Sequence, residues 1–214
     1  MTEQTDKPTK KIYYDSRSVA KRTKQLVHLV EEHDKTAMLA QIIKNNDNIQ
    51  TVLITKSKRG ADELGLYLKN EDIKVTTIHG NHRTEQYETA AKAFNTGEIN
   101  ILITTDMILQ SLNLTNIQLL ISYDLSMQSE NYFLRLTYLK EIGESIALVS
   151  PNEQNLLDTI EFILKIEIPQ EEVENFTQTL SPSLSQIPKS LKDKKKKPRH
   201  RTQKIKKTTK KMEE

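Results

Sequence analysis

Few side chains in this sequence have a type and spacing that could do chemistry, and among them a hydroxyl and a guanidinium, Ser57 and Arg59, could contact phosphate. Ser57 and Arg59 follow the β-branched run VLIT, His79 and Gly80 follow a second apolar run, and Thr105 and Asp106 close a third. Hydroxyls, backbone N–H groups and guanidinium forks at strand ends are the groups that hold phosphate oxygens, and open α/β sheets bind ligands at the carboxyl ends of their strands. Each position also has a plain structural use. Thr105 and Asp106 can cap the next turn, His79-Gly80 can be a strand-ending turn that needs a permissive backbone, and Ser57 and Arg59 can belong to a solvated loop. Arg135 is open between a helix-surface arginine in an ion pair and a phosphate contact.

Several chemistries are missing. With no cysteine, the chain has no disulfide, thiolate metal site or cysteine nucleophile. The histidines at 28, 33, 79, 82 and 200 lack metal-ligand spacing and no serine sits in a G-x-S-x-G elbow, so neither a metal site nor a serine hydrolase is expected. There is no G-x-x-x-x-G-K-[ST] loop, and none of the five glycines opens a Gly-rich strand-to-helix turn. No cofactor is therefore expected to be held by this chain alone.

Charge is segregated along the chain. Of the 32 Lys and Arg residues, 13 lie between Lys189 and Lys211 against three acids from Asp193 onward, which puts this tail near +10. Residues 1–188 carry 19 basic and 26 acidic side chains, a net of −7, with seven of the 19 between Lys7 and Lys24. The tail cations Lys194, Lys195, Lys196, Lys197, Arg199, Arg201, Lys204, Lys206 and Lys207 sit among almost no apolar residues, the composition of disorder. They can be a solubilising extension, or they can bind nucleic acid by counterion release, which needs only clustered charge. No aromatic residue is interleaved to stack on bases, so sequence preference is not expected. An anionic membrane is the weaker alternative because no apolar anchor accompanies the charges. With neither a run of about 18 apolar residues nor an apolar leader, the expectation is a cytoplasmic chain without a membrane span.

The elements that must position these residues alternate from about residue 35. Runs with strand character lie at 51–55, 74–78, 99–104, 118–122 and 146–149, and they are nearly continuously apolar, as strands buried on both faces of a parallel sheet should be. Between them come helical stripes: Ala61, Leu64 and Leu68; Tyr87, Ala90, Ala91 and Phe94; Leu156, Leu157, Ile160 and Ile163. Ser150, Pro151 and Glu153 form a capping box that starts the last helix. The expected fold is α/β, a three-layer domain with a mostly parallel sheet and helices on both faces. The expected organisation is a basic lead over 1–24, the domain over 25–165, a linker over 166–188 and a disordered basic tail over 189–214.

From Lys35 to Val149 the order of short motifs resembles the C-terminal RecA-like domain of superfamily 2 helicases, most closely that of DEAD-box RNA helicases. VLITKSKRGADEL at 52–64 resembles motif IV, His79-Gly80 with Phe94 and Gly97 the H-G…F-x-x-G stretch, and ILITTDMILQSLNL at 101–114 motif V. LISYDL at 120–125 precedes ENYFLRLTYLKE at 130–141, which occupies motif VI. The resemblance implies nucleic-acid contacts by Ser57, Arg59, His79, Gly80 and Thr105, and nucleotide-facing roles for Asp106 and Arg135.

The departures weigh against chemistry. In motif V, Gln110, Ser111 and Asn113 stand for Arg, Gly and Asp; in motif VI only Arg135 survives, with Leu134, Thr137, Tyr138, Lys140 and Glu141 at the other fixed positions. Thr84 and Tyr87 replace a Q-x-x-R element. The arginine finger is thus a tyrosine, and a phenol with no charge cannot stabilise a transferring phosphoryl group; such a loss costs about 10³ to 10⁵ in rate. The resemblance implies a degenerate, stand-alone domain that binds RNA through its tail without autonomous ATPase activity. Two alternatives stay open. A separate RecA-like domain could complete an ATPase cleft in trans, or Leu134, Tyr138 and Leu139 could turn the former cleft face into a protein-docking surface.

Overall fold

A computed structural model describes residues 16–179, apart from the side chains of 140–142. The expectations for the first fifteen residues, for the side chains of Lys140 and Glu141 and for the Lys/Arg-rich tail lie outside them. Six strands, β1 (Lys24–Leu29), β2 (Thr51–Thr55), β3 (Thr76–Thr77), β4 (Ile101–Thr105), β5 (Ile117–Ser122) and β6 (Leu139–Val149), form one sheet in the order β1-β6-β5-β2-β4-β3. Every pairing is parallel. The helices are α1 (16–22), α2 (Lys35–Asn45), α3 (Lys58–Asn70), α4 (Thr84–Thr96), α5 (Asp106–Leu109), α6 (Ser129–Leu136) and α7 (Gln154–Leu164).

Both faces of the sheet are covered. Leu53 and Ile103 point to one side, against Leu39 and Ile42 of α2 and Leu64 and Leu68 of α3. Val52, Ile54 and Leu102 point to the other, against Ala90 and Phe94 of α4 and Ile108 of α5. A third cluster on that side joins Val27 and Ala147 to Phe133 of α6 and Leu157 and Ile160 of α7. This explains why β2 is buried at every residue: a central strand covered on both faces has no polar side to alternate with. The Cβ that Gly65 lacks would stand 2.4 Å from Thr77 Oγ1, so this glycine lets α3 lie close on β3. Gly97 ends α4 at φ 81°, a left-handed cap.

The three-layer parallel fold is the one expected, with differences at its edges. Helix α1 lies where a basic lead was read up to residue 24, and strand β1, KQLVHL, was not among the expected strands. Strand β3 keeps only two residues of the expected five, and β6 begins seven residues earlier than its apolar run. The capping box is present, Glu153 Oε2 accepting from the backbone N–H of Ser150, although the first turn is 3₁₀. Residues 166–179, read as the start of a linker, pack on the domain: Ile168 and Val173 are buried, and Gln170 bridges Val27 of β1.

Candidate functional site

The parallel sheet brings the carboxyl ends of all its strands to one edge, and the expected site residues gather there. Asp106 opens α5 directly after β4, and Arg135 reaches it from the last turn of α6. The guanidinium donates from Nε to Asp106 Oδ1 at 2.6 Å and from Nη2 to Oδ2 at 2.8 Å, while Nη1 donates to Ser122 Oγ and to the Asp124 carbonyl, both at 2.9 Å. Its side chain is 1% exposed. Arg135 is therefore ion-paired, as one of its two expected readings had it, but buried rather than at the helix surface: α6 turns Tyr132, Phe133, Arg135 and Leu136 inward together. In this arrangement four of its five N–H donors are engaged within the protein.

A second ionic cluster lies along the same edge. Lys35, in the first turn of α2, is buried; its ammonium is 2.5 Å from Glu153 Oε2 and 3.9 Å from Asp124 Oδ1, and it stands 5.2 Å from the centre of the Tyr123 ring. Glu153 also accepts from the backbone N–H groups of Leu125 and Ser150. Burial pushes the Glu153 carboxyl up, but Lys35 and these donors outweigh it and hold the group below its ordinary range. Asp124 accepts the Lys56 backbone N–H at 2.9 Å and the Lys56 ammonium at 3.2 Å, and its negative charge raises the Lys56 pKa. The cluster ties together the ends of β2, β5 and β6 and the start of α2.

The remaining expected residues have structural partners. Ser57 caps α3, its Oγ accepting the Gly60 N–H at 3.0 Å, and exposed Arg59 pairs with Glu63 one turn on. His79 is buried, with Nε2 2.8 Å from Asp62 Oδ1. Gly80 does not have a positive φ, so the turn does not need glycine for its backbone; a Cβ there would instead stand 3.0 Å from the end of the Lys58 chain. Thr105 precedes α5 without capping it through its side chain. Among the described residues no three His, Asp or Glu side chains converge as metal ligands do.

Leu134, Tyr138 and Leu139 are each half-buried, with Tyr138 and Leu139 packed against the core. Lys35, Ser122, Asp124 and the charge role of Glu153 were not picked out from the sequence. The SYD triplet after an apolar strand was the available signal for Ser122 and Asp124. For Lys35 there was none, since its partner lies 118 positions away.

Residues 34–137 match the family described as the helicase conserved C-terminal domain. Among solved structures, the E. coli DEAD-box protein SrmB, crystallised with regulator of ribonuclease activity A, is similar at TM-score 0.67 and 17% identity, over 74% of this chain and 98% of that one. A DEAD box protein from the hyperthermophile Methanococcus jannaschii is similar at TM-score 0.66 and 25% identity, over 72% of this chain and 43% of that one. The C-terminal domain of Dbp5 gives TM-score 0.65 and 23% identity, over 71% of this chain and 91% of that one. The chain thus spans nearly all of the first and third of these chains and under half of the second.

Proposed function

Residues 34–137 are a helicase C-terminal domain of the RecA-like, superfamily 2 type, and from that premise we propose that this protein binds RNA mainly through its Lys/Arg-rich tail and does not hydrolyse ATP on its own. The observation that carries the reading is the state of Arg135. The one surviving motif VI cation is buried and satisfied by Asp106, Ser122 and the Asp124 carbonyl. To face a phosphate it would have to leave two charge-assisted bonds and strand a carboxylate.

Neighbouring Lys35 and Lys56 face carboxylates as well. Residues 1–188 carry a net −7 and so repel a polyanion, whereas the tail is near +10. Binding should then be sequence-tolerant. If roughly six phosphates are neutralised, the affinity should fall by about a thousandfold between about 50 and 200 mM salt. Truncation after Pro188 should remove most of the binding, and calorimetric titration with ATP and Mg²⁺ should give no heat of binding. A truncated chain that still holds RNA strongly, or micromolar ATP affinity, would overturn the reading.

A protein partner is the second reading. SrmB was crystallised with RraA, and Dbp5 is known with Gle1 as well as with RNA and ADP BeF3. Completion of an ATPase cleft by a separate RecA-like domain draws less support, since Asp106 and Arg135, the nucleotide-facing residues by resemblance, are engaged with each other. An ATPase activity that appears only with such a domain added would restore it.

A further inference from the structure

The outer edge of β3 has no partner strand. In the parallel register with β4, Thr76 and Ile78 turn their backbone groups inward, Ile78 donating its N–H to the Ile103 carbonyl at 2.9 Å. Val75 and Thr77 alternate with them and point their N–H and C=O groups away from the sheet. Among the described residues none of these four groups finds a partner. The open stretch is bounded at both ends. Before it, the Ile73 N–H donates to the Leu68 carbonyl at 2.9 Å. After it, the His79 N–H donates to His82 Nδ1 at 3.1 Å, and the His79 carbonyl accepts from the His82 N–H at 2.9 Å and the Tyr87 hydroxyl at 3.1 Å.

One flank of α3 runs beside this edge. Val75 packs in the cluster that holds Leu64 and Leu68, and Thr77 lies against Gly65. Asp62 reaches past β3 to His79 Nε2 at 2.8 Å, so the residues that share its side of the helix, Leu66 and Lys69, follow the edge. Leu66 is 64% exposed. Lys69 and Lys74 are exposed, and their ammonium groups have no partner among the described residues. Glu71 is taken by Lys44, which leaves Asp72 as the one unpaired acid beside them. At the amino end of the edge a cleft of about 1020 Å³ opens next to Val75, with half-buried Ile73, Ile99 and Ile101 in its wall.

We propose that this edge is a docking surface for another protein, which adds an extended segment as a further strand beside β3, sets an apolar side chain on Leu66 and places an acidic one against Lys69 or Lys74. Unpaired N–H and C=O groups at two-residue spacing recognise a peptide backbone, the strand-addition mode of peptide recognition. Leu66 and the two unmatched cations select the side chains. A second copy of this chain is the poorer occupant, since it brings its own Lys69 and Lys74 rather than acids, and lysine on a short edge strand is a common guard against such pairing. The proposal rests on the second reading above, a protein partner, and is independent of the RNA reading, because truncation after Pro188 removes no residue of this edge.

Amide NMR of the full chain, titrated with the end-blocked peptide Asp-Val-Leu-Val-Asp, tests it. The Val75 and Thr77 N–H signals should move downfield and saturate, those of Thr76 and Ile78 should move less, and the same peptide N-methylated along its backbone should move none of them. Lys-Val-Leu-Val-Lys should bind more weakly, and Lys69→Glu with Lys74→Glu should reverse that order, each exposed pair being worth about two- to fivefold. Thr77→Pro removes one outward N–H without touching the β4 ladder and should abolish the response. Leu66→Glu, on an exposed helix flank, should weaken binding with the fold intact, and it decides the matter where the proline variant does not fold. Val75 and Thr77 signals that stay still would overturn the proposal, as would equal binding of the N-methylated peptide. Edge shifts that grow with protein concentration alone would make a second copy the occupant and overturn it too. Shifts confined to another surface would overturn this site while leaving a protein partner standing.

Discussion

Replacing Arg135 with alanine should unfold this protein more readily and leave its RNA affinity almost untouched. The change removes a guanidinium that is 1% exposed and makes four hydrogen bonds, two of them to Asp106. Breaking one side of a buried ion pair costs about 3–5 kcal/mol, because the other charge is left without a partner. Asp106 is 25% exposed, so water reaches part of its carboxylate once the arginine is gone, which places the loss near the lower end, about 3 kcal/mol. A helix-surface pair would cost about 0–1 kcal/mol, and the gap is wide enough for urea denaturation to resolve. Arg135→Lys should fall between, since it keeps a charge but loses the planar fork. Combining Arg135→Met with Asp106→Leu should recover much of the loss by removing both charges. A loss below about 1 kcal/mol, or an RNA affinity that collapses while stability holds, would refute the reasoning.

The other expected outcomes follow from the same edge of the sheet and from the packing beneath it. The folded Glu153 carboxyl titrates below its ordinary value of 4.5, so the stability it contributes is complete above that value and lost as pH falls through the folded one. Urea melts from neutrality to about pH 3 should show this acid-side loss flattened in Glu153→Gln. Lys35→Met should cost about 3–5 kcal/mol in the same melts, and Glu153, followed by carboxyl NMR titration, should then lose its downward shift. Gly65→Ala forces a methyl group against Thr77 and should cost about 1–3 kcal/mol. Gly97→Ala meets no atom within 4 Å and should cost only the backbone term, about 1 kcal/mol.

Legibility in the sequence followed burial. Strands β2, β4 and β5 were plain because central parallel strands are apolar on both faces, and α3, α4 and α7 showed their buried stripes. Strand β1 hid because Lys24, Gln25 and His28 interrupt its apolar residues: Lys24 answers Glu144 and Gln25 accepts the Tyr132 hydroxyl, partners that no local window contains. Residues 166–179 read as linker because a few apolar residues, Ile166, Ile168, Val173 and Phe176, anchor an otherwise polar, acidic segment. The motif order located Asp106 and Arg135, but not their relation. A loop-end aspartate and a helix arginine 29 positions apart look the same whether they await a phosphate or hold each other.

What decides between those two states is the cost of leaving a buried charge unmatched. Two charges removed from water are tolerated only when their partners are fixed and complete. At this edge Arg135 answers Asp106, Lys35 answers Glu153, and Lys56 answers Asp124. A phosphate arriving there would gain one of these cations only by stranding its carboxylate, and it would approach a body of net −7 to do so. The tail cations carry no such debt, since only three acids stand beside thirteen bases. Under the proposed function, the tail rather than this edge would supply the anion binding, because positive charge at the edge is matched to carboxylates of the domain.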